Sequence, residues 1–177
     1  MLLTAEGAVL LLIDMQQRLM PAIHDNDSVV ARSVRLAEAA RLLDVPVRAT
    51  EQYPAGLGPT VAPLAAYSEA VLPKTTFSAT EDPGFSALLP AGAREIVIAG
   101  VEAHVCVLQT VLGLLGSGRR VVVARDAIGS RDPADRAAGI ERARQHGAEI
   151  VTSEMVIFEW LRDARHPKFR EAQKLLK

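Results

Sequence analysis

The chain has 177 residues, 49% hydrophobic and 23% charged, with a formal net charge of -1 and one cysteine. That length and composition suit a single soluble domain over residues 1–177 and argue against disorder. The near-zero charge and 4% aromatic content give no electrostatic or stacking basis for binding nucleic acid or an anionic membrane.

A lone cysteine cannot make an intrachain disulfide, and the N-terminus lacks the basic flank and small-residue cleavage site of a signal peptide. The apolar runs from Ala8 to Ile13 and from Val105 to Leu115 both fall short of the roughly 20 residues that a membrane span needs. A cytoplasmic setting is expected.

Ala8 to Ile13 shows no alternation, as in a parallel strand covered on both faces, and Asp14 ends it. Asp27-Ser28 can cap a helix from Val29 to Leu43, with Arg32, Arg35, Glu38 and Arg41 on one side and Val30, Val34, Ala37 and Leu43 on the other. Pro46 to Thr50 reads as a second strand. Glu51 to Pro59, dense in Gly and Pro, reads as an ordered loop without the Lys-Ser/Thr of a phosphate loop. A short helix near Val61 to Ala66 leads to a third strand, Ala70 to Leu72, which leaves through the polar loop Pro73 to Ser78. A short helix follows over 83–89.

Arg94 to Ala99 is a fourth, β-branched strand; it turns at Gly100-Val101-Glu102 into an apolar helix from Ala103 to Leu115 with Cys106 near its start. Arg120 to Ala124 is a fifth strand. Asp132-Pro133 starts a helix, with Gly147 placed to cap its end. Ala148 to Val151 is a sixth strand, a helix runs on through Trp160, and Phe169, Ala172 and Leu176 line a last short helix. The alternation predicts a three-layer α-β-α fold on a parallel six-stranded sheet, with right-handed crossovers. The order expected is 3-2-1-4-5-6.

Ligands of open parallel sheets bind beyond the carboxyl ends of the strands, at the switch point. Asp14, Lys74 and Cys106 all follow such ends, after strands one, three and four. Taken singly, Asp14 could cap a turn, Lys74 could be a solvated loop lysine, and Cys106 a small core residue. Together, a carboxylate, an ammonium and a thiol converging on one crevice make an activated nucleophile. A helix N-terminus and Lys74 would favour the thiolate, which predicts a thiol pKa below about 8.5. Asp14 could then shuttle the proton.

Three segments resemble the signatures of the isochorismatase-like cysteine hydrolases: Asp14-Met15-Gln16, Lys74-Thr75-Thr76-Phe77-Ser78, and Gly100 to Cys106. Thr50 to Thr60, Glu102 to Thr110 and His166-Pro167-Lys168-Phe169 resemble a narrower branch, the isochorismatase domain-containing proteins. The resemblance runs from about Ala8 to the C-terminus, in the same order. It implies a triad with Cys106 as nucleophile, Asp14 as general base and acid, and Lys74 holding the thiolate. It also implies a cis peptide at Val101-Glu102, with the backbone N–H groups of Glu102 and Cys106 forming an oxyanion hole.

Nicotinamidases of that superfamily carry an Asp-x-His metal motif after strand two, where this chain has Thr50-Glu51-Gln52-Tyr53. His24, His104, His146 and His166 lack ligand spacing, so neither a metal nor another cofactor is expected. Some true isochorismatases have glycine at the cysteine position, and retaining Cys106 favours covalent acyl chemistry.

The function expected is hydrolysis of a small amide or related acyl compound through a thioester. Gln17, Tyr53, Phe77 and His104 are candidates to line the pocket, although Phe77 could be core and His104 could cap the helix or meet another subunit. Vinyl-ether hydrolysis with Asp14 as acid is one alternative, and a binding protein without turnover is another. The apolar helix from Val105 to Leu115, the apolar tail and the resemblance all point to a homo-oligomer.

Overall fold

The computed structural model describes residues 1–176. Its strands are β1 (Ala8–Ile13), β2 (Val47–Gln52), β3 (Ala70–Lys74), β4 (Glu95–Gly100), β5 (Arg120–Ile128) and β6 (Glu149–Val151). Its α-helices are α1 (Asn26–Leu42), α2 (Pro54–Leu57), α3 (Ala62–Ala65), α4 (Phe85–Leu88), α5 (Leu108–Gly116), α6 (Pro133–Gln145), α7 (Ser153–Leu161) and α8 (Phe169–Leu175). All six strands are parallel, in the order β3-β2-β1-β4-β5-β6. The chain reverses direction across the sheet between β1 and β4, so the crevice at their carboxyl ends is the switch point.

The unbroken apolar runs are buried because both sheet faces are covered. Every residue of β1 and β4 is buried. One core layer packs Leu10, Leu12, Val97 and Val122 against Leu36, Ala40, Val156 and Trp160. The other packs Val9, Leu11, Ile96, Ile98 and Val123 against Val107, Val111, Leu114 and Ile140. The alternation of neighbours along each strand between the two layers is the period of two that pleating imposes.

Several elements depart from the expected boundaries. Asp25, with left-handed φ of 51°, precedes α1, and no side chain caps that helix, so Asp27-Ser28 lies inside its first turn. The buried face of α1 is Val29, Ser33, Leu36, Ala37 and Ala40; Val30 and Val34 are only half-buried. β2 runs on through Gln52, because Gln16 Oε1 accepts from the Gln52 backbone N–H at 2.7 Å. β3 likewise extends to Lys74, paired with Gln52. Pro73 is tolerated there because β3 is an edge strand, which needs fewer ladder donors.

The tail is not a free apolar face. Ala172 is fully buried and Phe169, Leu175 and Leu176 pack against the core, with the Phe169 ring centroid 6.4 Å from that of Phe158. The helix starts at Asp132 and Thr152 are capped as hydrogen-bond chemistry dictates, their side chains accepting from Ala134 N and Met155 N.

Candidate active site

Asp14 is the first residue past β1, and its left-handed φ of 52° turns the carboxylate back over the strand ends. The Thr50 hydroxyl on β2 donates to Asp14 Oδ1 at 2.6 Å. Lys74 Nζ donates to Asp14 Oδ2 at 2.8 Å. Lys74 sits two strands away from Asp14, a span of roughly 10 Å, which its stem bridges across β2. Gln52 Oε1 meets Nζ on the way at 2.6 Å, and the carbonyls of Thr76 and Phe77 accept from it at 3.2 and 3.3 Å.

The side chains of this ion pair are both wholly inaccessible to solvent. A buried charge of either sign persists only when paired and hydrogen-bonded, and here each carboxylate oxygen and the ammonium have their partners. Gln16 supports the arrangement by donating to the carbonyls of Gln52 at 3.0 Å and Gly58 at 2.7 Å.

Cys106 comes from the other side of the switch point. Gly100, with φ of 134°, ends β4; a side chain there would put its Cβ 2.2 Å from the Ile13 carbonyl oxygen, so only glycine lets β4 run this close to β1. The Val101–Glu102 peptide bond is cis. The next residues, Ala103–Val107, form a π-helical turn before α5 begins, and Cys106 lies in it, buried. π-turns are rare and occur often at functional sites.

The Glu102 carboxylate accepts from Arg131 Nε at 3.1 and 3.0 Å and from the Arg131 backbone N–H at 3.0 Å. Burial opposes its charge, but the Arg131 side-chain and backbone donors outweigh it and hold the carboxyl below its usual range. No acceptor for the Glu102 backbone N–H is found among the described residues.

The thiol is not poised as a thiolate. Burial first, then the charge of Asp14, push Cys106 up to about 12, and a hydrogen bond with Asp14 adds to the effect. Lys74 pulls the other way without prevailing. This overturns the expectation of a lowered thiol pKa. Lys74 binds the carboxylate directly, and its charge does not offset burial and the Asp14 charge.

The other candidate residues separate. Tyr53 and Phe77 are exposed at 59% and 54%, on the segments that follow Gln52 and Lys74. Gln17 is exposed and borders a groove of about 610 Å3 with Met20, Val30, Val34, Val61 and Pro63, which includes no triad residue. His104 is half-buried, with Nδ1 3.1 Å from Ser130 Oγ and Nε2 3.6 Å from Asp135 Oδ2. A larger concavity of about 920 Å3 lies at the opposite ends of the strands, around Thr80, Phe85, Arg94 and Arg119, far from this chemistry. Thr50, Gln52, Gln16 and Ser130 are buried or bonded polar groups of the site that the sequence did not single out. Gln16, Thr50 and Gln52 lie in the segments that resemble the family signatures, whereas Ser130 carried no signal of its own. No group of three or more His, Cys, Asp or Glu side chains able to hold a metal ion is found among the described residues.

A doubly wound parallel sheet in this order, superposing closely on isochorismatase-like hydrolases, gives the chain that fold. The isochorismatase domain model matches residues 8–155, and the chain belongs to that family. It is 41% identical to isochorismatase domain-containing protein 2 of Danio rerio, covering 98% of this chain and 89% of that one. Among solved structures, MAR1 ribonuclease from Caenorhabditis elegans aligns with a TM-score of 0.93 at 37% identity, over 99% of this chain and 92% of that one. YcaC from Pseudomonas aeruginosa, described with hexane-2,5-diol and covalent acrylamide, aligns with a TM-score of 0.92 at 27% identity, over 99% and 90%. YcaC from Escherichia coli is described as an octameric hydrolase of unknown specificity, with a TM-score of 0.87 at 25% identity, over 99% and 94%.

Proposed function

We propose that this hydrolase cleaves a small amide or related acyl compound through a thioester on Cys106. The observation that carries the reading is the buried Asp14 carboxylate, held by Thr50 and Lys74, beside the buried Cys106 thiol. Asp14 takes the proton as Sγ forms its bond to the substrate carbonyl carbon. The carbonyl π electrons move onto oxygen, where the backbone N–H groups of Glu102 and Cys106 receive them. Collapse re-forms the carbonyl and breaks the C–N bond, and Asp14 passes the proton to the leaving amine. Water then attacks the thioester with Asp14 as base, releasing the acid and returning a proton to Sγ. Lys74 Nζ, bonded to Asp14 Oδ2, fixes the direction of the carboxylate for each transfer.

The acrylamide adduct described for the Pseudomonas relative supports a nucleophile reactive toward an electrophilic amide. The Caenorhabditis relative is described as a ribonuclease. This chain, with a net charge of -1, lacks the excess of cations that neutralises phosphates, and the substrate proposed is a small molecule. A homo-oligomer is proposed from the octameric relative and from the outer side of α5, where Leu112 and Leu115 are only half-buried. A single free thiol suits a reducing cytoplasm.

Hydrolysis of an amide, ester and vinyl-ether panel by the wild-type protein and Cys106→Ala tests the chemistry. Amide or ester turnover that is lost in the variant is expected. Full activity of Cys106→Ala on a vinyl ether would establish the alternative, with Asp14 as acid. Turnover of RNA would move the substrate to the class named for the ribonuclease relatives.

A further inference from the structure

The turn bearing Glu102 and Cys106 is held from outside by groups with no part in the triad. The Ala103 N–H donates to Ser130 Oγ at 3.0 Å and to the Gly129 carbonyl at 2.8 Å. Ser130 is fully buried, and its Oγ also lies 3.1 Å from His104 Nδ1. The Asp135 carboxylate beyond Nε2 favours the tautomer with its proton there, leaving Nδ1 to accept the Ser130 hydroxyl proton. Ser130 then donates to the ring and accepts from the turn, and neither nitrogen of His104 is left for substrate. α6 completes the clamp: a Cβ on Gly139 would stand 2.7 Å from the Ala103 carbonyl and 2.8 Å from His104 N.

We infer that Ser130, oriented by His104 and Asp135, is a positioning residue that aims the Glu102 and Cys106 N–H groups at the substrate oxygen. The inference rests on the nucleophile reading above and assigns a job to His104 other than lining the pocket. Ala103 lies between the two donors, so its one bifurcated N–H bond sets the path of the backbone that carries both. Losing the Ser130 acceptor leaves the Ala103 N–H anchored by the Gly129 carbonyl alone and loosens the aim of both donors, while Asp14 stays held by Thr50 and Lys74.

Two probes of the sole thiol separate positioning from general disruption. Iodoacetamide is displaced at carbon: the S–C bond forms, iodide leaves with the C–I electron pair, and the thiol proton goes to Asp14. No oxyanion arises. Acrylamide adds at its terminal carbon, and the C=C electrons move onto the carbonyl oxygen, as they do in amide attack; the thiol proton then passes by way of Asp14 to the α-carbon. Only the second reaction uses the two N–H donors.

Removing an oxyanion donor outright costs about 10²–10³ in rate, so misaiming both by Ser130→Ala should slow acrylamide addition about tenfold. Iodoacetamide should change less than about twofold, since no charge develops on oxygen. His104→Asn keeps a polar group near the Nδ1 position and should retain most of the acrylamide rate, whereas His104→Ala should lose it. The His104 pair decides the matter if Ser130→Ala fails to fold. Equal slowing of both probes, or an unchanged acrylamide rate, overturns the inference. So does a wild-type protein that takes iodoacetamide but not acrylamide, because it has no working oxyanion donors. A wild-type thiol inert to both removes the nucleophile reading and the inference with it.

Discussion

Burial together with the neighbouring Asp14 charge pushes the Cys106 thiol up to about 12. A thiol at that value is only ~10⁻⁵ ionised at pH 7. Its alkylation rate should therefore climb through pH 8.5 and keep climbing past pH 10. Asp14→Asn removes the second cause of the shift, so the thiol should ionise at lower pH, even as turnover is lost. A plateau near pH 8.5 in the wild-type rate profile would contradict the buried, carboxylate-coupled thiol.

The sign at the alkaline end follows from proton counting. Between the unfolded value of about 8.5 and the raised folded one, the native state binds more protons than the unfolded state. This group's contribution to stability is thus present below about pH 8.5 and falls as pH rises toward 12. Thr50 makes a residue-scale prediction of its own. Thr50→Val removes the hydroxyl that reaches Asp14 Oδ1 at 2.6 Å while keeping its shape, and leaves a buried acceptor unpaired. A loss of about 1–3 kcal/mol in urea unfolding is expected.

At the scale of elements, α6 and the π-turn behave as one piece. An exposed helix gains close to 1 kcal/mol when glycine becomes alanine, so propensity alone makes Gly139→Ala stabilising. The close approach to Ala103 reverses that sign, because the atoms met are backbone and cannot swing aside. Chemical denaturation should show Gly139→Ala less stable than wild type; a gain in stability would mean that α6 does not bear on the turn.

The strands were legible because they rest on local pattern, apolar runs covered on both faces, and the sheet order because it is a common one for doubly wound folds. The longer reach of β2 and β3 was not legible, since Glu51-Gln52 and Pro73-Lys74 carry no strand propensity. Gln52 joins the strand because Gln16, 36 residues away along the chain, satisfies its backbone, and Pro73-Lys74 follow by pairing with Glu51-Gln52. The thiol value was misjudged for a related reason. A sequence shows that Lys74 and Cys106 meet at one crevice, but not that the lysine is already spent on Asp14, Gln52 and two carbonyls. Ser130 was invisible altogether, as its role depends on a turn in a different segment.

For the whole molecule, Arg120 on β5 ties its neighbours β4 and β6 to the N-terminus. Its guanidinium contacts Glu95 and Glu149 at 2.6 Å and reaches the carbonyls of Met1 and Leu2. Hydrogen bonding to Arg120 holds the Glu149 carboxyl below its ordinary range, although burial opposes it. Its stabilising contribution is present above the unfolded value near pH 4.3 and is lost as pH falls below that. Arg120→Ala should flatten this acid dependence; an unchanged melting profile between pH 3 and 5 would show that the cluster is idle. The half-covered side of α5 belongs at this scale too. Sedimentation should give a multiple of the monomer mass, and a monomer at micromolar concentration would show that Leu112 and Leu115 face solvent.

The most direct measurement is intact mass spectrometry of the wild-type protein, Cys106→Ala and Asp14→Asn after brief exposure to activated amides and esters. A mass increase equal to the acyl group should appear on wild-type Cys106 and decay as acid is released. It should be absent from Cys106→Ala, and Asp14→Asn should form it from activated esters but release it slowly. Substrate turnover with no adduct on the wild-type chain, or with an adduct on a residue other than Cys106, would contradict catalysis by the Asp14-Lys74-Cys106 site.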